Sequence, residues 1–422
     1  MINLKRSLSK FIPQRIKNLG YHWPLAITAN LAFGFPSRGL TVIGVTGTNG
    51  KTTTTKFIAA ILSEAGKKVA YASTIEYGIG ERHWTNASKF TTSSAWQLQR
   101  FLSEAKKVGC TDIVLETSSH SLDQYRTWGI PYQTAVMTNV TREHLDYHGT
   151  MEAYRAAKRK LFNGAEKAIV NADMEKPEEY FISTPGETVT YSTKDTAATV
   201  FASEIELDFS GTRFLALGTS FRLSLPGLFN VENALAAISV GYSMSIVSEV
   251  MKRALGNIAG IPGRMESVPN DRHLDILIDY AVTPDSFEQL YQAVRPMQIP
   301  GTKVIHVFGA CGERDRGKRP VMGKIASENA DVIILTNEDP YHEDPERIID
   351  EIAAGVDRKS SERYFRIFDR REAIAKAISI AEAGDIILVT GKGAEETMAL
   401  GNERIPWKER EVIESILKKT SA

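Results

Sequence analysis

The run "LTVIGVTGTNGKTTTT", Leu40 to Thr55, limits the fold of this chain more than any other stretch. "LTVIGVT" reads as a buried strand, and Lys51 to Ala65 as a helix closed by Gly66, so the loop between them joins a strand to a helix. Glycines at 47 and 50 let backbone N–H groups approach phosphate oxygens, and the start of the helix favours their negative charge. Lys51 can reach the outer phosphates and the Thr52 hydroxyl can ligate Mg²⁺, with Thr48, Asn49 and Thr53 beside them. The spacing departs from the common G-x-x-x-x-G-K-[ST] pattern, because Val45 stands at the first glycine position.

Strand and helix signals alternate from Leu40 onward, which predicts an α/β protein with a mainly parallel sheet. Further strands are read at "KKVAYAST", "TDIVLET", "YQTAVMTN" and "KAIVNAD". From Thr199 to Leu225 the residues alternate, which predicts antiparallel strands at a sheet edge. Glycine and proline cluster in "GNIAGIPGRMESVPN", and a second α/β alternation follows. The expected organisation is a short segment 1–36, a central P-loop ATPase domain 37–263, and a C-terminal Rossmann-like α/β domain 264–422.

Lys plus Arg and Asp plus Glu both number 51, so no overall field points to nucleic acid. Cys110 and Cys311 are the only cysteines, which excludes a disulfide scaffold and fits a reducing cytoplasm. The first forty residues differ: Lys5, Arg6, Lys10, Arg15, Lys17 and Arg38 occur there, and the first carboxylate of the chain is Glu64. The apolar run "YHWPLAITANLAFGF" is broken by Pro24 and Asn30 and is shorter than the roughly 18–20 residues of a membrane span. Two readings follow, a helical segment packed on the next domain or a peripheral membrane contact through residues 1–36.

Downstream, "VLETSSHSLDQYR" places Glu116 at a strand end, where open α/β sheets bind ligands. "TNVTREHLDYHGTMEAYRAAKRKLF" carries His144, Asp146 and His148 before a helix with Lys158. Carboxylate and imidazole groups near a triphosphate read as a metal site, while Asp146 and His148 have the alternative of capping the helix that starts near Thr150.

These segments, with "FNVENALAAI", "GIPGRME", "DYAVTPDSFEQLY", "GERDRGKRPVMG" and "GKGAE", resemble the Mur ligase family, in order from about residue 40 to 415. The similarity is greatest to its MurE type, which adds the third residue of the peptidoglycan stem peptide to UDP-MurNAc-L-Ala-D-Glu. The resemblance implies an ATP-dependent amide ligase that transfers the γ-phosphoryl group to a substrate carboxylate, giving an acyl phosphate that the incoming amine displaces. It implies two Mg²⁺ sites, one at Thr52 and one held by Glu116 and His144, and a carbamylated Lys158 as a further ligand; Lys51, Glu116, His144 and Lys158 are the catalytic set. Asn230, Asn233, Arg264 and Asp279 carry over as nucleotide contacts, with Val282 where the family usually has histidine and a hinge ion pair as the alternative for Arg264. Thr91, Thr92, Ser118, Gln124 and Arg126 carry over to the muramoyl dipeptide.

The incoming amino acid falls to Arg314, to the loop "TNEDPYHEDP" with Asp339 and Tyr341, and to Glu395. Tyr341 stands where the diaminopimelate signature has arginine, and Glu338, Asp339, Glu343 and Asp344 make the loop acidic, so lysine or ornithine is expected. Some of these acids have the alternative role of starting the next helix, and Ala394 replaces a usual histidine. Only about forty residues precede the P-loop, where the family has a separate uridine-nucleotide domain. The chain is therefore expected to be a minimal cytoplasmic, monomeric enzyme on small-molecule substrates, with no nucleic acid. Alternatives are a lipid-linked muropeptide acceptor, a folylpolyglutamate-like or poly-glutamate activity, or an ATP-binding module without catalysis.

Overall fold

The structure, a computed structural model, describes residues 13–86, 90–182, 184, 186–357 and 362–420, without the side chains of residues 146 and 420. Lys5, Arg6 and Lys10 lie outside them. The chain forms two compact units, Met1–Ile205 with Phe214–Arg222 and Asn230–Asn257, and Glu206–Arg213 with Leu223–Phe229 and Ile258–Ala422. This differs from one boundary at 263, because two short segments between 206 and 229 also belong to the second unit.

The first unit holds a nine-stranded sheet of β1 (Thr41–Thr46), β2 (Val69–Ala72), β3 (Glu76–Ile79), β4 (Arg82–Thr85), β5 (Asp112–Glu116), β6 (Thr134–Met137), β7 (Lys167–Asn171), β8 (Glu187–Ser192) and β9 (Val200–Phe201). Its order is β4-β3-β2-β5-β1-β6-β7-β8-β9, parallel except for the pairings that β3 makes with β2 and β4. Successive residues of β1 are buried on opposite faces, as expected of a central strand covered by helices on both sides. β1 sits between β5 and β6 in parallel register, so the strand order reverses there and a crevice opens beyond the carboxyl ends of these three strands. That topology brings the loop after Thr46, the side chain of Glu116 and the segment after Met137 to one place.

The strands β10 (Ser203–Asp208), β11 (Gly211–Ala216) and β12 (Thr219–Leu223) form a three-stranded sheet of their own. The expectation is of antiparallel strands at a sheet edge; at the edge of the large sheet stands only the two-residue β9, which pairs parallel with β8, and β10 to β12 alternate between more and less exposed positions.

The second unit contains β13 (Glu266–Ser267), β14 (Asp275–Asp279), β15 (Val304–Phe308), β16 (Val332–Leu335), β17 (Tyr364–Arg366) and β18 (Ile386–Thr390) in the order β13-β14-β18-β15-β16-β17. All pairings are parallel except that of β13 with β14. Leu277, Phe308, Leu335 and Leu388 enter one core, while Ile276, Val307, Ile334 and Val389 enter another on the opposite face. A hairpin of β19 (Thr397–Leu400) and β20 (Glu403–Pro406) follows.

Candidate functional site

The loop after β1 is shaped by two glycines that no other residue replaces without strain. Gly50 has φ 81° and a side chain there would overlap Asn233 Oδ1; a side chain on Gly47 would overlap Thr138 Oγ1. The cradle is thus open only where β-carbons are missing, which fits a loop that admits phosphate oxygens to backbone amides. The segment after β6 holds it from behind. Thr48 N–H donates to Asn139 O at 2.9 Å, Asn49 N–H to Asn139 Oδ1 at 2.8 Å, and Thr138 Oγ1 to Asn49 O at 2.6 Å.

Thr52 opens the helix Lys51–Glu64, and its hydroxyl donates to Glu116 Oε2 at 2.9 Å. Glu116 is buried and its carboxylate is oriented from the far side by Thr74, whose N–H reaches Oε2 at 2.7 Å and whose hydroxyl reaches Oε1 at 2.8 Å. A buried carboxylate fixed on a loop threonine suits a divalent cation near phosphate, with Thr52 and Glu116 as oxygen donors. Among the described residues no group of three or more His, Cys, Asp and Glu is arranged as a metal cluster, so any cation here takes its remaining ligands from elsewhere.

Lys158 lies on the helix Met151–Arg159, fully buried, over the Tyr154 ring at 4.5 Å. Its Nζ donates to Gly47 O at 2.6 Å, and Lys51 Nζ donates to the same oxygen at 3.1 Å and to Thr48 O at 2.7 Å. Burial holds the Lys158 ammonium well below the ordinary lysine value; the neighbouring Lys51 charge adds to this and Glu143 opposes it. His144 has a left-handed backbone, φ 55°, at the start of the short helix Leu145–His148. Its ring packs edge-on against His120 at 4.7 Å and against Tyr154 at 6.1 Å, and Tyr154 OH lies 3.1 Å from Thr48 Oγ1. Tyr154 therefore ties His144, Lys158 and the loop together. The helix after His148 is capped by Thr150, which accepts from Ala153 N–H at 3.2 Å, whereas His148 Nε2 is 3.1 Å from Ser119 Oγ.

Thr92, Ser118, Gln124 and Arg126 form one cluster beside Glu116. Thr92 Oγ1 donates to Glu116 O at 3.0 Å and accepts from Ser118 N–H at 3.0 Å, and Arg126 Nη1 donates to Thr92 O at 3.0 Å. Arg126 also bonds Gln124, which donates to Tyr147 OH at 3.3 Å; Thr91 is half-buried next to Thr92. Asn233 Nδ2 donates to Asn230 Oδ1 at 3.2 Å, and Thr54 Oγ1 to Asn233 Oδ1 at 3.3 Å; Thr53 is buried in the helix.

In the second unit the predicted residues follow the carboxyl ends of adjacent parallel strands, as the same sheet rule requires. Asp279 ends β14 and accepts from Met265 N–H at 2.9 Å; burial pushes its carboxyl up against the opposing pull of Arg264. Arg264 lies over Tyr280 at 5.1 Å, with a buried Nε that makes no hydrogen bond. After β18, the buried Lys392 pairs with Asp339 at 2.8 Å and with Glu395. Asp339 also accepts from Ala399 N–H at 2.7 Å. Glu338 is buried with Oε2 unbonded, and its burial pushes the carboxyl up. Arg314 is exposed and bonds the Cys311 thiol, which burial pushes up to about 12. Tyr341 has φ 53°, and Arg404 of β20 lies over its ring at 5.0 Å.

Two acids of the loop are structural. Asp344 caps the helix Pro345–Ala353, accepting from Glu346 N–H at 3.0 Å, and Glu343 is held down to about 2 first by its hydrogen bonds to the buried Arg319. Sequence reading missed Thr74, His120, Asn139, Tyr154 and Arg404. His120, Asn139 and Tyr154 stood inside quoted motifs, but nothing in spacing alone distinguished them.

A phosphate loop whose threonine is fixed to a buried strand-end carboxylate, with a buried amine behind it and a second α/β sheet in the same chain, is the equipment of an ATP-dependent ligase. The sequence comparisons agree: residues 45–241 match the Mur ligase middle domain, and residues 263–393 match the Mur ligase glutamate ligase domain. The chain belongs to the Mur ligase family. It is 38% identical over 403 residues to a UDP-N-acetylmuramoyl-L-alanyl-D-glutamate–2,6-diaminopimelate ligase of Syntrophomonas wolfei, covering 93% of this chain and 81% of the relative. It is 40% identical to a UDP-N-acetylmuramyl-tripeptide synthetase of Roseiflexus, covering 91% and 80%. A solved 2,6-diaminopimelate ligase superposes with TM-score 0.66 at 31% identity, covering 98% of this chain and 84% of that one. Mycobacterium tuberculosis folylpolyglutamate synthase, at TM-score 0.70 and 16% identity, shares the fold.

Proposed function

We propose that this ligase joins a diamino acid to the D-glutamate carboxylate of UDP-MurNAc-L-Ala-D-Glu in peptidoglycan precursor synthesis, in the cytoplasm. The relatives that match over more than nine-tenths of the chain are named for that reaction or for tripeptide synthesis. The first unit activates the carboxylate and the second reads the amine. The amide N–H groups of Gly47 and Gly50, with the Lys51 ammonium, hold the transferred phosphoryl oxygens, and Asn230 and Asn233 contact the nucleoside. Magnesium at Thr52 and Glu116, with a second ion reached by His144, would neutralise the anions brought together there. Thr92, Ser118 and Arg126 orient the acceptor carboxylate beside Glu116.

The depressed, buried Lys158 is the group that takes up CO₂ as a carbamate. Carbamylation needs the neutral amine, which burial favours, and it puts an anion where an ammonium would face Lys51.

For the amino acid, the observation that carries the choice is Glu338: a buried carboxylate with one oxygen unbonded, next to Asp339, is suited to the distal ammonium of lysine or ornithine. A second reading, diaminopimelate, is favoured by Arg404, which returns a guanidinium to the place of Tyr341. The test is ADP release from UDP-MurNAc-L-Ala-D-Glu with each amino acid in turn. Turnover with lysine or ornithine supports the first reading; turnover with diaminopimelate alone replaces it with the second; turnover with none removes the proposal.

A further inference from the structure

The helical segment at the start of the described chain is built inside out. It runs through Gln14–Lys17, a π-turn at Asn18–His22, and Trp23–Ala32. Its inward face is small and polar: Asn18, Ala26, Ala29 and Asn30 are buried. Asn18 Nδ2 donates to Asp123 Oδ2 at 2.7 Å, and Asn30 Nδ2 donates to Trp128 O at 2.8 Å. Its outward face carries the large apolar side chains, with Ile16 60%, Leu19 47%, Tyr21 64%, Trp23 38% and Leu31 63% exposed. Ile16, Leu19, Trp23 and Leu31 thus all face solvent, before, within and after the π-turn. Phe33 then meets Trp96 edge-on at 5.7 Å, and Trp96 is itself 41% exposed, so the apolar surface continues onto the helix Ala95–Val108. An exposed patch of this size is uncommon on a protein that meets only water.

Charge decides what the patch fits. Arg15, Lys17 and Arg38 flank it, and the sequence has no carboxylate before Glu64. The acids on the elements packed against it are paired: Asp123 with Lys160 at 2.8 Å, and Glu104 with Arg100 at 2.9 Å. Apolar side chains beside unopposed cations match the surface of an anionic bilayer, whereas an apolar protein interface does not call for an acid-free rim. Among the described residues no helix is long and apolar enough to cross a membrane, so the segment would lie along the interface.

We propose that the helical segment 14–32 docks this enzyme peripherally on anionic lipid, with Ile16, Leu19, Trp23 and Leu31 in the acyl boundary and Arg15 and Lys17 at the phosphates. The test is co-sedimentation of the full chain with phosphatidylglycerol/phosphatidylcholine vesicles and with pure phosphatidylcholine vesicles, at low and high salt. Binding to the anionic vesicles that weakens with salt is expected. A variant with Ile16→Ser, Leu19→Ser and Leu31→Ser should bind roughly tenfold or more weakly, with unchanged thermal melting and ligase activity in solution. Arg15→Gln with Lys17→Gln should remove the preference for anionic lipid. No vesicle binding, equal binding to both vesicle types, or unaltered binding by the serine variant overturns the proposal. So does a lipid-free dimer that the serine variant dissolves, which would assign the face to a second copy.

Discussion

Lys158 and Lys51 share one acceptor: both ammonium groups bond the Gly47 carbonyl, at 2.6 Å and 3.1 Å. Burial, and then the repulsion between two cations on one oxygen, holds the Lys158 ammonium well below its ordinary value. Replacing Lys158 by Ala should abolish ligase activity, and short carboxylic acids should restore part of it by standing in for a carbamate. Wild-type turnover of Lys158→Ala would end the proposed role.

The same residue makes a stability prediction. Its folded pKa lies well below the ordinary value of 10.5, so between the two values the unfolded chain binds more protons there than the folded one. In CO₂-free buffer Lys158→Met should therefore raise stability at any pH below that window's upper end. The gain should shrink as pH rises toward 10.5, where the unfolded lysine also loses its proton. Urea titrations across that range check the slope; a pH-independent difference would mean that Lys158 is not desolvated.

Gly50 makes the second site for a test. Alanine at φ 81° costs about 1–2 kcal/mol for the backbone alone, and its methyl group meets Asn233 Oδ1. Gly50→Ala should lower the affinity for a non-hydrolysable ATP analogue by roughly tenfold or more in calorimetry. Adding Asn233→Ala should recover none of the backbone part, so restored wild-type binding would place the cost in the clash only.

These positions show what was legible beforehand. Gly47, Gly50, Lys51 and Thr52 were readable because backbone freedom, charge and hydroxyl chemistry follow each other locally, and Glu116 because strand ends in open sheets bind ligands. Family resemblance, not spacing, picked out Lys158: an amphipathic helix gives no sign that one of its lysines is buried under a tyrosine. Thr74 and Arg404 act across the sheet or from a hairpin far along the chain, and such contacts have no local signature. In the acidic loop, charge alone could not separate Asp344, a helix cap, from Glu338, a buried carboxylate with an unbonded oxygen.

Arg370 and Glu409 form the most completely buried ion pair of the second unit's described residues, with side chains 1% and 0% exposed. The guanidinium also donates to Thr390 O at 2.7 Å, at the end of β18. Removing one partner leaves the other charge buried, so Glu409→Ala should cost about 3–5 kcal/mol in chemical denaturation. The double replacement Arg370→Met with Glu409→Leu should cost much less. A single replacement that is as mild as the double would show that water reaches the pair.

Glu338 and Arg404 are the two proposed readers of the amino acid, and their roles can be separated. If Glu338 receives a distal ammonium, Glu338→Gln should raise KM for lysine or ornithine by roughly tenfold or more while kcat changes little, because the lost contact is made equally in ground and transition states. Burial raises the Glu338 carboxyl above its ordinary range, so the wild-type KM should climb as pH falls through that raised value and the ammonium loses its partner. Glu338→Gln should lose this acid limb of the profile while keeping the limb set by protonation of the attacking amine. Arg404→Ala, on the exposed hairpin, should leave lysine and ornithine turnover unchanged. If it instead raises KM for diaminopimelate and spares every other amino acid, the guanidinium over Tyr341 is the reader of a distal carboxylate, and lysine or ornithine is not the natural substrate.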